Sequence, residues 1–285
     1  MKLLFTGASG LAASQAWPLL AADHDLTTAG RRPLPSPRHI PCDLAAGCAE
    51  LPDEHFNALI HFASFVPRNE TASDWSSCAE ANLYATVSLL RWAAGRVGRI
   101  VLASSCAIYG DAIRLPVEED HPIRPSTQYA LTKYGQEQLL SAFCASRGIP
   151  LTVLRLGYVY GPGIGSDRAV VKLLQRVAAG EPVTLRNART AGLHLIHTHD
   201  IAAITTRLLE EPAGVFNVVM PRHVTLLDYV TAAMEVTGKR VEVVEDNDPE
   251  VTPTNWYSAA RLARRDIRAK VSLRYGIATM LEAGV

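Results

Sequence analysis

Short apolar runs alternate with longer helix-like stretches over the first 160 or so positions of the chain. Positions 2–6 form an apolar run ended by glycine, and 10–22 have helical composition with small residues early. Strand-like runs recur at 25–29, just before Cys42, at 57–63 ("NALIHFA"), 98–105 ("GRIVLASS") and 150–157 ("PLTVLRLG"). Long helices are expected at 73–94 and 126–147, with a polar, Pro- and Glu-rich loop ahead of the second. Strand, crossover helix and strand in series predict an α/β fold, a Rossmann-type doubly wound parallel sheet with helices on both faces. Beyond Gly161 the alternation loosens. A helix at 166–179, short strands near 183–186, 193–197 and 215–219, and helical stretches at 225–237 and 255–265 suggest a smaller C-terminal substrate-binding lobe. The expected division is a dinucleotide-binding domain over 1–160 with parts of 190–220, and a lobe made mostly of 161–285.

The turn after the first strand reads Thr6-Gly7-Ala8-Ser9-Gly10-Leu11-Ala12-Ala13. In a dinucleotide site the first glycine permits the tight turn, the second lets backbone N–H groups approach the pyrophosphate, and the third lets helix and strand pack closely. Only the third role falls to Ala13, where a single methyl is tolerated. Gly7, Ser9 and Gly10 are therefore cofactor-binding candidates. The second strand ends in Thr28-Ala29-Gly30-Arg31-Arg32. Gly30 stands where an acid would bind the ribose hydroxyls of NAD, and Arg31 and Arg32 offer planar forks suited to a 2′-phosphate. NADP(H) is the favoured cofactor and NAD(H) the alternative. Asp43, with Leu44 beside it, falls near the expected adenine site.

Tyr129-Ala130-Leu131-Thr132-Lys133 lies in the second long helix, so phenol and ammonium share one face. A nearby cation stabilises phenolate and draws the tyrosine pKa toward a value useful for proton transfer. Ser105, at the end of a strand, is placed to hydrogen-bond the same substrate oxygen. Ser105, Tyr129 and Lys133 are the catalytic candidates.

Composition narrows the classes. The chain has 285 residues and a formal charge of +0 from 28 basic and 28 acidic side chains, which gives no electrostatic footprint for nucleic acid or an anionic membrane. Five cysteines without a Cys-x-x-Cys pair fit reduced thiols in a cytoplasmic setting. No apolar run long enough to span a bilayer occurs, and no leader pattern precedes the first strand, so an unexported protein is expected.

Together "TGASGLAA", "CDL" at 42–44, "HFAS" at 61–64, Asn82, "SSCAIYG" at 104–110, "YALTK" at 129–133, "RLGYVYGPG" at 155–163 and "HTHD" at 197–200 resemble the extended short-chain dehydrogenases/reductases, the NAD(P)-dependent epimerase/dehydratase group. The resemblance implies that Tyr129 is the general acid/base, that Lys133 binds the nicotinamide ribose and tunes Tyr129, and that Ser105 positions the carbonyl or hydroxyl. It also implies that Gly7, Gly10 and Leu11 line the pyrophosphate turn, that Ala63 and Ser64 lie along the cofactor, and that the helices at 73–94 and 126–147 pair into a homodimer.

The departures bear on the substrate. Cys106-Ala107 stand where sugar-nucleotide dehydratases of the group carry Asp-Glu, so a dehydratase is not expected. Leu193 replaces an arginine typical of nucleotide-diphosphate binders, Tyr158 replaces an asparagine, and "VTPTNWYSAARL" at 251–262 replaces a further arginine segment; Arg186, Arg189 or Arg261 are the compensating candidates. Tyr158 and Arg189 join Ser105 as substrate-binding candidates. The expected activity is reduction of a ketone, or oxidation of a hydroxyl, on a small polar or sugar-like substrate. An NAD-retaining epimerase of a sugar or nucleotide sugar is the alternative, and a non-catalytic NADP(H)-sensing regulator the second. The histidines at 194, 197 and 199 with Asp200 are read as a strand closing the lobe, not as a metal site. His61 is read as a satisfied core histidine, and "ARLARRDIRAK" as a solvated helical face.

Overall fold

The computed structural model describes residues 1–67, 74–248 and 255–285. The first half runs β1 (Lys2–Thr6), α1 (Ala16–Asp23), β2 (Asp25–Gly30), β3 (Arg38–Pro41), β4 (Ala58–His61), α2 (Asp74–Cys78), α3 (Ala85–Ala93), β5 (Ile100–Ser105), α4 (Gln128–Ala145) and β6 (Leu151–Leu156). It continues through β7 (Tyr158–Tyr160), α5 (Ala169–Ala179), β8 (Val183–Arg186), β9 (Gly192–Leu193), β10 (Leu195–His197) and α6 (Thr198–Leu208). Last come β11 (Val215–Val218), β12 (Val224–Thr225), α7 (Leu226–Thr237), β13 (Val243–Asp246), α8 (Ala260–Ala263) and α9 (Leu273–Glu282).

Seven strands form one sheet in the order β3-β2-β1-β4-β5-β6-β11, every pair parallel. The period of two along each strand builds both cores. Leu3, Phe5, Ile60, Val101 and Leu154 face α1 and α6, while Leu4, Leu59, Ile100, Leu102 and Val153 face α3 and α4. The strand order reverses between β1 and β4, which opens a crevice at their carboxyl ends. A third cluster, with Val170, Leu174, Leu185, Leu195, Tyr229, Val230 and Ile277 at its centre, builds the smaller lobe.

Several expectations need correction. The helix over 10–22 is divided: Leu11–Ala13 form one 3-10 turn, and α1 starts only at Ala16. Pro18 explains the break, because its ring would collide with the carbonyl four residues back if the α-helix ran through from Leu11. The long helix is interrupted by a π turn at Ala79–Tyr84, which carries the buried Asn82 inward; residue 73, its expected start, lies outside the described residues. His197 ends β10 and caps α6 by accepting from the His199 N–H at 3.2 Å, so His199 and Asp200 lie in a helix and not in the expected strand. The helix signal was present: Ile201, Ile204, Thr205 and Leu208 are buried at helical spacing. The expected helix over 255–265 shrinks to Ala260–Ala263, and "ARLARRDIRAK" is not one helical face. Arg265 donates to the Pro212 carbonyl and stacks over Phe216, 4.7 Å from its ring centre. Residues 251–254 of the substituted segment lie outside the described residues.

Candidate active site

The crevice holds a cavity of about 480 Å³ lined by Gly7, Ser9, Gly10, Gly30, Arg31, Arg32, Asp43, Leu44, Ala63 and Ser64 among others. Gly7 sits at φ 78, and a Cβ there would lie 2.2 Å from the Ala63 backbone nitrogen, so turn and loop touch with no room for a side chain. A Cβ on Gly10 would meet only the turn's own Gly7 carbonyl, at 3.3 Å, and one on Gly30 nothing within 4 Å; both leave backbone open toward the cavity. Ala13 is fully buried in the sheet core, so the third position serves packing. Leu11 packs against the lobe and is not among the lining residues. The cavity extends from the phosphate-binding type of turn to the arginines after β2, which fits an extended dinucleotide with its adenosine end near Arg31 and Asp43.

Past β4 the wall is fixed by Asn82. Its Oδ1 accepts from Ser64 Oγ at 3.0 Å and from the Phe65 N–H at 2.6 Å, and its Nδ2 donates to the Phe65 carbonyl at 3.1 Å and Thr132 Oγ1 at 2.9 Å. One buried amide thus ties the loop after β4 to α4.

Thr127 caps α4 by accepting from the Ala130 N–H at 3.2 Å, which puts Tyr129 in the first turn, at the positive end of the helix dipole. Ser105, at the end of β5, comes close enough to the phenol to lower its pKa, so the structure brings these two candidates together. Burial pushes the Tyr129 pKa up to about 12; the Ser105 side chain and the Arg168 guanidinium oppose it. Lys133, one turn on, is buried and donates to Gln136 Oε1 at 2.6 Å. Burial draws its ammonium down to about 7, against the opposing charge of Glu137. His61 is buried between Thr6 Oγ1, at 2.7 Å, and Thr86 Oγ1, at 3.2 Å, and burial lowers it to about 3, which keeps it neutral.

Behind the pair, Glu137 and Arg155 form a buried bidentate bridge with contacts of 2.8 and 3.1 Å. Ser104 Oγ donates to Glu137 at 2.5 Å, and Arg155 also donates to Tyr109 Oη at 2.8 Å and the Glu119 carbonyl at 3.1 Å.

Tyr158 is half-buried in β7, and burial raises its phenol pKa against the Arg168 guanidinium. Arg189 does not turn to the catalytic group. It makes an exposed bidentate pair with Glu245, at 2.7 and 3.1 Å. Arg186 likewise pairs with Asp248 at 2.8 Å and Arg261 with Glu119 at 3.3 Å, so all three compensating candidates are engaged by carboxylates. Arg168, just ahead of α5, was not anticipated, yet its charge is felt by both Tyr129 and Tyr158. Its signal in the sequence was slight, a cation at a helix start after "GPGIGSD".

The sequence model of the NAD dependent epimerase/dehydratase family matches residues 3–219. The chain is 28% identical over 301 residues to a UDP-glucose 4-epimerase of Corynebacterium glutamicum, covering 96% of this chain and 90% of that one. Among solved structures it resembles the Thermus thermophilus UDP-glucose 4-epimerase in complex with NAD, with 25% identity, a TM-score of 0.82 and 99% and 98% of the two chains covered. RMD from Pseudomonas aeruginosa, complexed with NADPH, shares the fold at a TM-score of 0.83 and 21% identity, with the same coverage.

Proposed function

Since the chain belongs to the NAD dependent epimerase/dehydratase family, we propose that it is an NADP(H)-preferring oxidoreductase in which Tyr129 moves the proton and Ser105 holds the reacting oxygen. The observation that carries the cofactor preference is the pair Arg31 and Arg32 in the cavity wall, where the second strand ends in Gly30 rather than an acid. Gly7 and Gly10 would cradle the pyrophosphate, Arg31 would fork onto the 2′-phosphate, and Asp43 would face the adenine amine. A bound nicotinamide supplies the hydride donor or acceptor. Ser105 orients a substrate carbonyl or hydroxyl oxygen beside the phenol. Tyr129 gives that oxygen a proton in reduction and removes it in oxidation, while the Lys133 charge one turn away favours the phenolate. The substrate is a small polar or sugar-like compound: with Arg186, Arg189 and Arg261 paired to carboxylates, Arg168 is the arginine whose charge reaches both Tyr129 and Tyr158. Exposed Trp75 and Tyr84 on the first long helical segment and Leu131 on α4 support a homodimer through these elements.

Arg31→Ser tests the cofactor reading. Loss of charge-assisted hydrogen bonds worth about 1.5–3 kcal/mol should weaken NADPH binding by roughly ten- to hundredfold. NADH binding should change by less than about threefold, since it lacks the phosphate. Fluorescence titration reads both, and an equal loss for the two cofactors would refute the assignment.

The likeness to the Corynebacterium epimerase along nearly the whole chain favours a second reading, an epimerase that keeps its NAD and returns hydride to the other face of a sugar. Purified protein given UDP-glucose and no cofactor separates the two. Formation of the C4 epimer without change in nicotinamide absorbance would establish the epimerase and sink the reductase.

A further inference from the structure

Gln136 lies one turn beyond Lys133 on α4 and is fully buried. Lys133 Nζ donates to its Oε1 at 2.6 Å, and because an ammonium has no acceptor, this bond fixes which end of the amide is oxygen. The Nε2 end then lies 2.8 Å from Thr86 Oγ1 and 3.3 Å from His61 Nε2. Thr86 donates its own hydroxyl proton to the Asn82 carbonyl at 2.6 Å, so toward Gln136 it can only accept. The other side of that amide group abuts the His61 ring, whose Nδ1 is hydrogen-bonded to Thr6 Oγ1 at 2.7 Å. A chain of polar contacts thus runs from Lys133 to β1, and reversing the amide would set its NH₂ against the ammonium.

We propose that Gln136 is the positioning residue of the Tyr129–Lys133 pair: it holds the Lys133 ammonium from the core side, with Thr86 and His61 locking its amide in the one orientation that offers an acceptor. This rests on the proposed acid/base role of Tyr129. The groups around the ammonium are few. Glu137, on the same helix, has its charge offset by the Arg155 bridge. Neutral His61 faces it from β4, and Tyr129 stands one turn back, itself sensing Cys78 of α2 and Arg168 ahead of α5. In a buried site an acceptor on the ammonium favours its charged form. Without it Lys133 sheds its proton at lower pH, and the cation that favours the Tyr129 phenolate is lost over the neutral range.

The test needs no substrate. The chain has only five lysines, at 2, 133, 172, 239 and 270, so ¹³Cε-lysine labelling with Lys133→Met as the assignment control resolves the Lys133 titration by NMR. In the unaltered protein its step is expected at about 7. Gln136→Leu should move it down by about one pH unit or more, a tenfold loss of proton affinity. Gln136→Glu, which keeps an acceptor and adds a charge, should move it up, and it decides the matter should the leucine variant not fold. A Lys133 step unmoved by either substitution in folded protein would overturn the proposal and leave Gln136 a packing residue. Failure of the Tyr129 role registers separately, in the activity of Tyr129→Phe.

Discussion

Tyr129→Phe should leave a folded protein that binds NADPH with unaltered affinity and reduces its carbonyl substrate about 10²- to 10⁴-fold more slowly. Phenylalanine keeps the ring and its packing. Ser105 keeps the hydrogen bond from the Ala107 N–H at 3.1 Å, and the cavity that would hold the cofactor is lined by other residues. Only the proton is removed. The pH dependence has a defined sign. With the phenol pushed up to about 12, Tyr129 is protonated at neutral pH and ready to act as an acid, so reduction by the unaltered enzyme should hold level there. Oxidation needs the phenolate and should rise with pH, and that rise should vanish in the variant. A variant retaining more than about a tenth of the activity would remove Tyr129 from the mechanism, since acid/base assistance contributes far more than that.

Arg155→Leu should cost about 3–5 kcal/mol, because it leaves the Glu137 carboxylate buried with only the Ser104 hydroxyl as partner and strips donors from Tyr109 and the Glu119 carbonyl. For a chain of this size that corresponds to a fall in Tm on the order of 10 °C. The double variant Arg155→Leu/Glu137→Leu should recover most of the loss, since the isolated charge and not the missing attraction carries it. Thermal unfolding followed by circular dichroism reads both. If the single variant costs less than about 1 kcal/mol, water reaches Glu137 and the bridge is not the buried support described above.

Local features carried much of this structure in plain sight. The two-residue alternation through Leu3, Leu4 and Phe5 and the glycines at the ends of β1, β2 and β6 mark the parallel sheet, and the turn at Gly7 and Gly10 marks its crevice. Ser105 and Tyr129 meet as their strand end and helix start imply. What stayed hidden depends on contacts between distant segments. The Arg189–Glu245 pair joins positions 56 residues apart and withdraws a candidate from the substrate site. The π turn that carries Asn82 inward is set by the loop and helix it bonds, not by propensity. The direction of the Lys133 ammonium depends on Gln136, which shares its helix face at a spacing of three, and on His61 and Thr86, which do not. At α6 the helical spacing from Ile201 to Leu208 was legible, but the histidines before it suggested a strand.

Thermal unfolding of the unaltered protein in NADP⁺ and in NAD⁺ at equal concentration tests the central claim most directly, because a ligand of the folded state raises stability with the logarithm of its concentration over Kd. The arginines after β2 predict a clearly larger rise in Tm with NADP⁺. An equal or larger rise with NAD⁺ would contradict the NADP(H) assignment.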